Sequence, residues 1–321
     1  MKLAFILDPL DSLKPHKDSS VAMMRVACAR GHEVFALGQG DIAYRGNLVI
    51  ATVTGLKLAL KLTGDNESWY QPGATTTLPL HAFDAVLMRV DPPFDMEYVY
   101  TTYLLELAET QGAHVINRPR AIRDFNEKFA ITRFPQFIAP TLVTRSEPLI
   151  RAFLAAHGDI ILKPLDGMGG RGVFRIRADD FNIGAIIETL TREGLQTIMA
   201  QKYLPAIAQG DKRILLVGGK PAPFALARIP QAGETRGNLA AGGRGVAQPL
   251  SERDLEIAAG VAPTLIEHGL MLVGLDVIGD TLTEINVTSP TCMVEIGEQT
   301  GFSVAAMMVD AVEERGLRIE D

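Results

Sequence analysis

The chain has 321 residues, 47% of them apolar and 21% charged, with a formal net charge of −7. This is enough for two or three domains with a substantial core, and the acidic balance argues against a general nucleic-acid binder. Two cysteines, six scattered histidines and no apolar run near the roughly 18 residues of a membrane span exclude a disulfide framework, a zinc cluster and a transmembrane helix, so a reducing cytoplasm is expected.

Residues 2–7 read as a buried strand stopped at Asp8 and Pro9, a run too short for a signal peptide. A polar loop leads to Asp18, Ser19 and Ser20, which suit the cap of a helix closed by Gly31. Residues 33–37 read as a second strand. In such a βαβ opening, ligands sit beyond the carboxyl ends of strands, so Asp18, Ser19 and Ser20 face either a substrate or only their own helix. Residues 41–80 read as irregular, with turn signals at Gly64, Asp65 and Asn66 and at Gln71, Pro72 and Gly73. A strand over 84–89 ends in Arg89, Val90 and Asp91. Arg89 is placed to hold an anion there, although a lone arginine is more often a surface residue. A helix over 95–111 and a strand over 113–117 complete a small parallel-sheet unit.

Residues 121–129 read as a helix carrying Lys128. A strand at 141–144, a helix opened by Ser146 and a strand at 159–164 that includes Lys163 follow. Gly167, Gly169 and Gly172 satisfy G-x-G-x-x-G, but the strand-like run 173–176 follows where a Rossmann helix should start, and Val173 stands where Walker A needs lysine. The better reading is a β-hairpin with a glycine-rich tip, whose N–H groups approach phosphates closely. A plain mobile loop is the competing reading. After a helix over 180–193 and a strand over 197–203, residues 213–217 and 223–229 form a hairpin about Gly218 and Gly219. Residues 231–245 are glycine-rich and basic, which suits a mobile lid bringing Arg236 or Arg244 over an anionic site; a disordered connector is the alternative. Ser251 opens a helix through His268, kinked at Pro263, and residues 303–315 read as a terminal helix.

The stretch 273–287 reads as two apolar strands joined at Gly279 and Asp280. It also carries Asp276, Glu284 and Asn286, and the last two leave one face of a strand. Three oxygen-bearing side chains in apolar company suggest a hard-cation site. Register decides it. A two-residue turn puts Asp276 opposite Thr283, on the wrong face, whereas a three-residue loop, 279–281, puts it opposite Glu284 with Cβ atoms about 5 Å apart. The cation reading therefore requires the three-residue loop; a surface hairpin with solvated acids is the alternative.

Two lysines on separate elements, a glycine-rich hairpin, arginines on a loop and an acidic hairpin, with no Ser-His-Asp or Cys-His arrangement, fit ATP-dependent chemistry by positioning and charge neutralisation. Through the stretches 89–95, 161–170, 227–231, 233–245 and 282–291, the chain resembles bacterial-type glutathione synthetases of the ATP-grasp superfamily over nearly its full length. It departs at Arg171 and Gly172, over 41–80 and after Cys292.

The resemblance implies an α/β (α+β ATP-grasp) fold. An N-terminal parallel-sheet domain would span 1–122, a small central lid domain 123–204, and a C-terminal catalytic domain with an antiparallel sheet and the mobile loop 231–245 would span 205–321. It implies ligation of γ-glutamylcysteine and glycine to glutathione through an acyl phosphate, with ATP as co-substrate. Another carboxylate–amine ligase of the D-alanine–D-alanine type, or a non-catalytic ATP-binding protein, are the rivals. Asp276, Glu284 and Asn286 would hold two Mg²⁺ ions, or Mn²⁺. Lys128, Lys163, Gly169 and Gly170 would bind the phosphates, Gln201, Tyr203 and Leu204 the adenine, and Asp211 the ribose side. Arg213 and Arg228 would approach the transferring group. Arg236 and Asn238, with Ser289 and Pro290, would hold substrate carboxylates, and Asp18, Ser19, Arg89 and Asp91 the γ-glutamylcysteine. Cys292 reads as packing. A homo-oligomer, commonly a tetramer, is expected, with no nucleic-acid or membrane partner.

Overall fold

The structure, a computed structural model, describes residues 1–59, 68–234, 237, 239 and 242–317. It opens with β1 (Lys2–Ile6), α1 (Ser19–Ala29), β2 (Glu33–Leu37), β3 (Ile42–Arg45), β4 (Leu48–Leu58), β5 (Tyr70–Pro79), β6 (Ala85–Met88), α2 (Met96–Thr110) and β7 (Val115–Ile116). β2, β1, β6 and β7 lie parallel, side by side. Their apolar runs do not alternate because both faces are covered: Leu3 and Phe5 share a cluster with Met23 and Met24 of α1, and Ala4 and Ile6 share one with Tyr98 and Leu105 of α2.

The described residues of the stretch 41–80 are not irregular. β3, β4 and β5 extend the sheet antiparallel beyond β2. Gln71, Pro72 and Gly73 lie inside β5, where the pairing shifts register between Thr54 and Leu56, and a Cβ on Gly73 would come within 3.1 Å of the Gly55 carbonyl oxygen. The turn-forming residues thus mark a bulge within a strand pair. The signal at Gly64, Asp65 and Asn66 lies outside the described residues.

α3 (Pro119–Asp124) stops before Lys128, so the expected helix over 121–129 is too long. Asn126 Oδ1 accepts from the N–H groups of Lys128 (3.2 Å) and Phe129 (3.0 Å), a side-chain turn that competes with helix. The middle sheet runs β10-β9-β11-β8, built from β8 (Thr141–Thr144), β9 (Asp159–Pro164), β10 (Phe174–Arg177) and β11 (Ile198–Lys202). α4 (Glu147–His157) and α5 (Ile183–Thr191) pack on it.

The third sheet runs β15-β14-β12-β16-β17, with β13 on β12. Its strands are β12 (Asp211–Val217), β13 (Lys220–Pro221), β14 (Phe224–Ile229), β15 (Arg244–Pro249), β16 (Leu272–Ile278) and β17 (Thr281–Asn286). One face buries Ile257, Val261 and Leu265 of α6 (Glu252–Glu267), together with Phe125, Ile131 and Phe134. The other joins the first sheet through α7 (Met293–Thr300) and α8 (Val304–Leu317), whose Met293, Ile296 and Met308 share a cluster with Leu215, Leu226, Leu3 and Phe5. α7 has only eight residues, too short to show a helical period in the sequence. Among the described residues no helix is long and apolar enough to cross a membrane.

Candidate active site

The acidic hairpin sets the geometry. Ile278 pairs with Thr281 and Val277 with Leu282, so the turn has two residues, not three. Yet Asp276 pairs with Glu284, because the register shifts between Asp276 and Val277. Thr283 is the extra residue. The bulge does what the three-residue loop was expected to do, and brings Asp276 opposite Glu284 with Asn286 farther along, opposite Gly274. Thr283 holds the bulge by donating its hydroxyl to Asp276 O (3.1 Å), and its own carbonyl accepts from Lys163 Nζ (3.2 Å).

Asp276 is buried beneath two arginines. Arg213 Nε and Nη2 donate to its two oxygens at 2.5 and 3.1 Å, and Arg228 Nη2 lies 2.8 Å from Oδ2. Arg228 also donates to Asp211 Oδ2 (2.5 Å). Burial alone would push the Asp276 carboxyl up, but the two guanidiniums outweigh it and hold it well below the usual carboxylate range. Asp211 fares the opposite way. Desolvation outweighs Arg228, and Asp276 and Glu284 repel it, so its carboxyl is pushed up to about 7. Its Oδ1 is buried without a hydrogen-bond partner.

Glu284 faces the cleft between the middle and third sheets. Its Oε1 lies 3.6 Å from Lys163 Nζ and 3.9 Å from Lys128 Nζ, and Lys128 also donates to the Gly167 carbonyl. Both lysines are buried, and desolvation lowers the Lys163 pKa while Glu284 opposes the shift. The cleft is open to solvent on one side and holds about 120 Å³ of water-sized space. Lys128, Lys163, Gly169, Gly170, Gln201, Tyr203, Leu204 and Asp211 all line it, so the lysines, glycines and linker residues singled out in the sequence converge on one space with Glu284. β9 and β10 are the antiparallel arms of the glycine-rich tip. Gly169 and Gly170 have φ of +63° and +77°, where a side chain would be strained. The Arg175 guanidinium lies 3.6 Å from the centre of the Tyr203 ring and is held bidentately by Asp159, at 3.0 and 2.6 Å.

A second cluster lies past Asn286. Arg89 is buried and donates from Nε to Ser20 Oγ (3.0 Å) and from Nη2 to Pro290 O (2.9 Å), while its Nη1 has no partner. Ser289 Oγ donates to Asp91 Oδ1 (2.5 Å), and Ser19 Oγ accepts from Met293 N (3.3 Å). Asp18 uses its carboxylate to cap α1 at Val21 N (2.9 Å). Arg213 joins the two clusters. A Cβ on Gly274 would come within 2.9 Å of Arg213 Cδ and 3.0 Å of Pro290 Cβ, so only glycine admits both. Cys292 is fully buried and burial pushes its thiol up, which suits packing. Arg236 and Asn238 lie outside the described residues.

Two models, prokaryotic glutathione synthetase N-terminal domain and prokaryotic glutathione synthetase ATP-grasp domain, match residues 1–123 and 127–301. The chain belongs to the prokaryotic glutathione synthetase family. It is 64% identical to the glutathione synthetase of Nitrosomonas europaea over 314 residues, covering 98% of each chain. With that of Ralstonia nicotianae it shares 59% over 313 residues, 98% of this chain and 95% of the relative. Among solved structures, the D-cycloserine synthetase DcsG superposes with a TM-score of 0.66 at 16% identity, covering 98% of this chain and all 100% of that one. The ATP-grasp ligase PsnB, solved with a minimal precursor, Mg and ADP, gives 0.63 at 16% identity and 98% coverage of both. At that identity the likeness is one of fold.

Several residues at the candidate site carry no mark in the sequence. Thr283 and Arg175 look like any strand or surface residue until the fold brings them to Lys163 and Tyr203. Ile161 and Ile207 line the cleft but read as ordinary core.

Proposed function

We propose that the chain joins γ-glutamylcysteine to glycine at the expense of ATP, giving glutathione, ADP and phosphate. One observation carries the reaction type: two buried lysines and Glu284 converge on a cleft roofed by a glycine-rich hairpin. The substrates come from the glutathione synthetases that match it end to end.

In this reading adenine lies against Gln201, Tyr203 and Leu204 with the ribose toward Asp211. Lys128, Lys163 and the N–H groups around Gly169 and Gly170 take the phosphate oxygens. Asp276, Glu284 and Asn286 supply oxygen donors on one face of the hairpin, a set suited to hard divalent cations. Asn286 donates from Nδ2 to Gly274 O (3.2 Å), which leaves its amide oxygen as the third donor. The set depends on that amide, for among the described residues no three His, Cys, Asp or Glu side chains form a metal group. Two Mg²⁺ or Mn²⁺ ions bound there would screen the repulsion between triphosphate and substrate carboxylate.

The cysteinyl carboxylate oxygen bonds to the γ-phosphorus as the bond to the ADP oxygen breaks. The glycine amine then attacks the acyl carbon, loses a proton, and phosphate leaves. This order supplies the leaving group that a carboxylate lacks at neutral pH. Arg213 and Arg228 lie where they offset charge on the transferring group and the tetrahedral centre. Asp18, Ser19, Arg89, Asp91, Ser289 and Pro290 hold the dipeptide, with Arg236 and Asn238 on its carboxylates. We assign three working units, 1–122, 123–204 and 205–321, with the lid over 231–243; Arg244 and Gly245, the end of the expected loop, belong instead to β15, paired with Ile229 and Arg228. ADP release should rise with γ-glutamylcysteine plus glycine and stay at background with D-alanine or with neither. Stimulation by D-alanine would point to a different ligase, and no ADP in any arm to a silent ATP binder.

We further assign a cytoplasmic homo-oligomer. Met96, Tyr100, Tyr103 and Leu107 form an exposed stripe along α2, a surface that a second copy would cover. Light scattering should give a multiple of the 34.7 kDa chain mass; a single chain mass would contradict it.

A further inference from the structure

Asn126, Glu127 and Lys128 form a junction that the reaction scheme does not use beyond the lysine. Asn126 Nδ2 donates to the Leu165 carbonyl (3.1 Å), at the base of the glycine-rich tip. Glu127 O accepts from Ile285 N (2.8 Å), so this segment lies alongside β17. The Glu127 carboxylate does more. One oxygen, Oε1, accepts from Val287 N (2.9 Å), Thr288 N (3.1 Å) and Thr288 Oγ1 (2.8 Å). Three donors on one carboxylate oxygen make a strong, directional clamp. Val287 is pinned from its other side, where its carbonyl accepts from Asn117 Nδ2 (2.8 Å).

The clamp sits between two parts of the site that must keep their spacing. On one side is Lys128, next in the chain, with Nζ toward Glu284. On the other, Thr288 leads directly into Ser289 and Pro290, which contact Asp91 and Arg89. A carboxylate this close to Glu284 adds repulsion, and its burial is costly. A side chain that served only packing would be better apolar. Val287, Thr288 and Glu127 together leave that backbone little freedom.

We propose that Glu127 is a positioning residue. It fixes the distance between the phosphate-binding lysine and the turn that carries the peptide substrate, without touching either substrate. This inference rests on the reading of the site as a phosphoryl-transfer and acyl-transfer centre. Misplacing reacting groups by about 1 Å costs on the order of 10²-fold in rate while each ligand can still bind. Loss of the clamp should therefore appear in kcat and not in nucleotide affinity.

The test compares wild type, Glu127→Gln and Thr288→Val with γ-glutamylcysteine, glycine and ATP, beside nucleotide binding followed with a fluorescent ADP analogue. Glu127→Gln keeps an acceptor oxygen but not the charge; Thr288→Val removes one of the three donors. Glu127→Gln should lower kcat about 10- to 100-fold and Thr288→Val about 3- to 10-fold, with nucleotide Kd within about threefold of wild type in both. Unchanged kcat in both variants would overturn the proposal. So would a loss of nucleotide affinity that parallels the loss of rate, because that marks general disorder of the site. If Glu127→Gln does not fold, Thr288→Val alone decides by the same criterion. An inactive wild type would instead count against the proposed reaction, so the two failures are separable.

Discussion

Glu284→Gln is expected to lower turnover by at least about 10³-fold while the protein stays folded. The change keeps side-chain size and removes one charge. Glu284 lies at the cleft between Lys128 and Lys163, partly exposed, and no core cluster depends on it. Its carboxylate balances two buried ammonium groups and supplies the donor that the metal reading places nearest the phosphates. Without it Lys163 loses the attraction that opposes its desolvation, so its pKa falls further. Nucleotide binding should survive in part, because the lysines and the glycine-rich tip remain. Circular dichroism and Tm would show whether the fold is kept. Unfolding of the variant, together with wild-type activity that a chelator does not affect, would make Glu284 a structural acid.

Asp276→Asn should be the more destabilising of the two, by about 3–5 kcal/mol. It leaves Arg213 and Arg228 buried, mutually repelling, and short of the charge that holds them. Activity should fall with it, since both arginines and the metal set are disturbed together. The pH dependence of stability gives a sharper readout. Asp276 titrates lower in the folded chain than in the unfolded one. Its contribution is therefore present above about pH 4 and lost as pH falls through its depressed value. Asp211, raised to about 7, runs the other way. The folded chain holds its proton where the unfolded chain has released it. Its contribution is full below about pH 4 and lost as pH rises through 7. In Asp276→Asn the acid-side loss should shrink. The neutral-side loss should also move to lower pH, because Asp276 no longer repels Asp211. Tm measured from pH 3 to pH 8 tests both; profiles of identical shape for variant and wild type would contradict the assignment.

The sequence made the chemistry more legible than the geometry that delivers it. Lys163 at a strand end, the glycine-rich tip, and Asp276 with Glu284 on one hairpin stand out because each breaks an apolar pattern. The bulge at Thr283 does not, since a threonine in a strand carries no sign that it is the extra residue. The right rung was therefore expected from the wrong loop. Residues 41–80 failed for a related reason. Pro72 and Gly73 signal a turn wherever they occur, and only the partner strand shows that they mark a bulge inside β5. The sequence places Lys128 on a helix because the Asn126 side-chain turn that precedes it is a contact and not a pattern. Glu127 carries no mark in the sequence because its three donors come from residues 160 and 161 positions away.

In the proposed reaction a carboxylate of γ-glutamylcysteine is activated by ATP and captured by glycine. The direct measurement uses dipeptide labelled with ¹⁸O in the cysteinyl carboxylate, with mass spectrometry of both the peptide product and the released phosphate. The expected products are glutathione and phosphate, with one labelled oxygen carried into each phosphate. Glutathione with unlabelled phosphate, or ADP formed without glutathione, would contradict it.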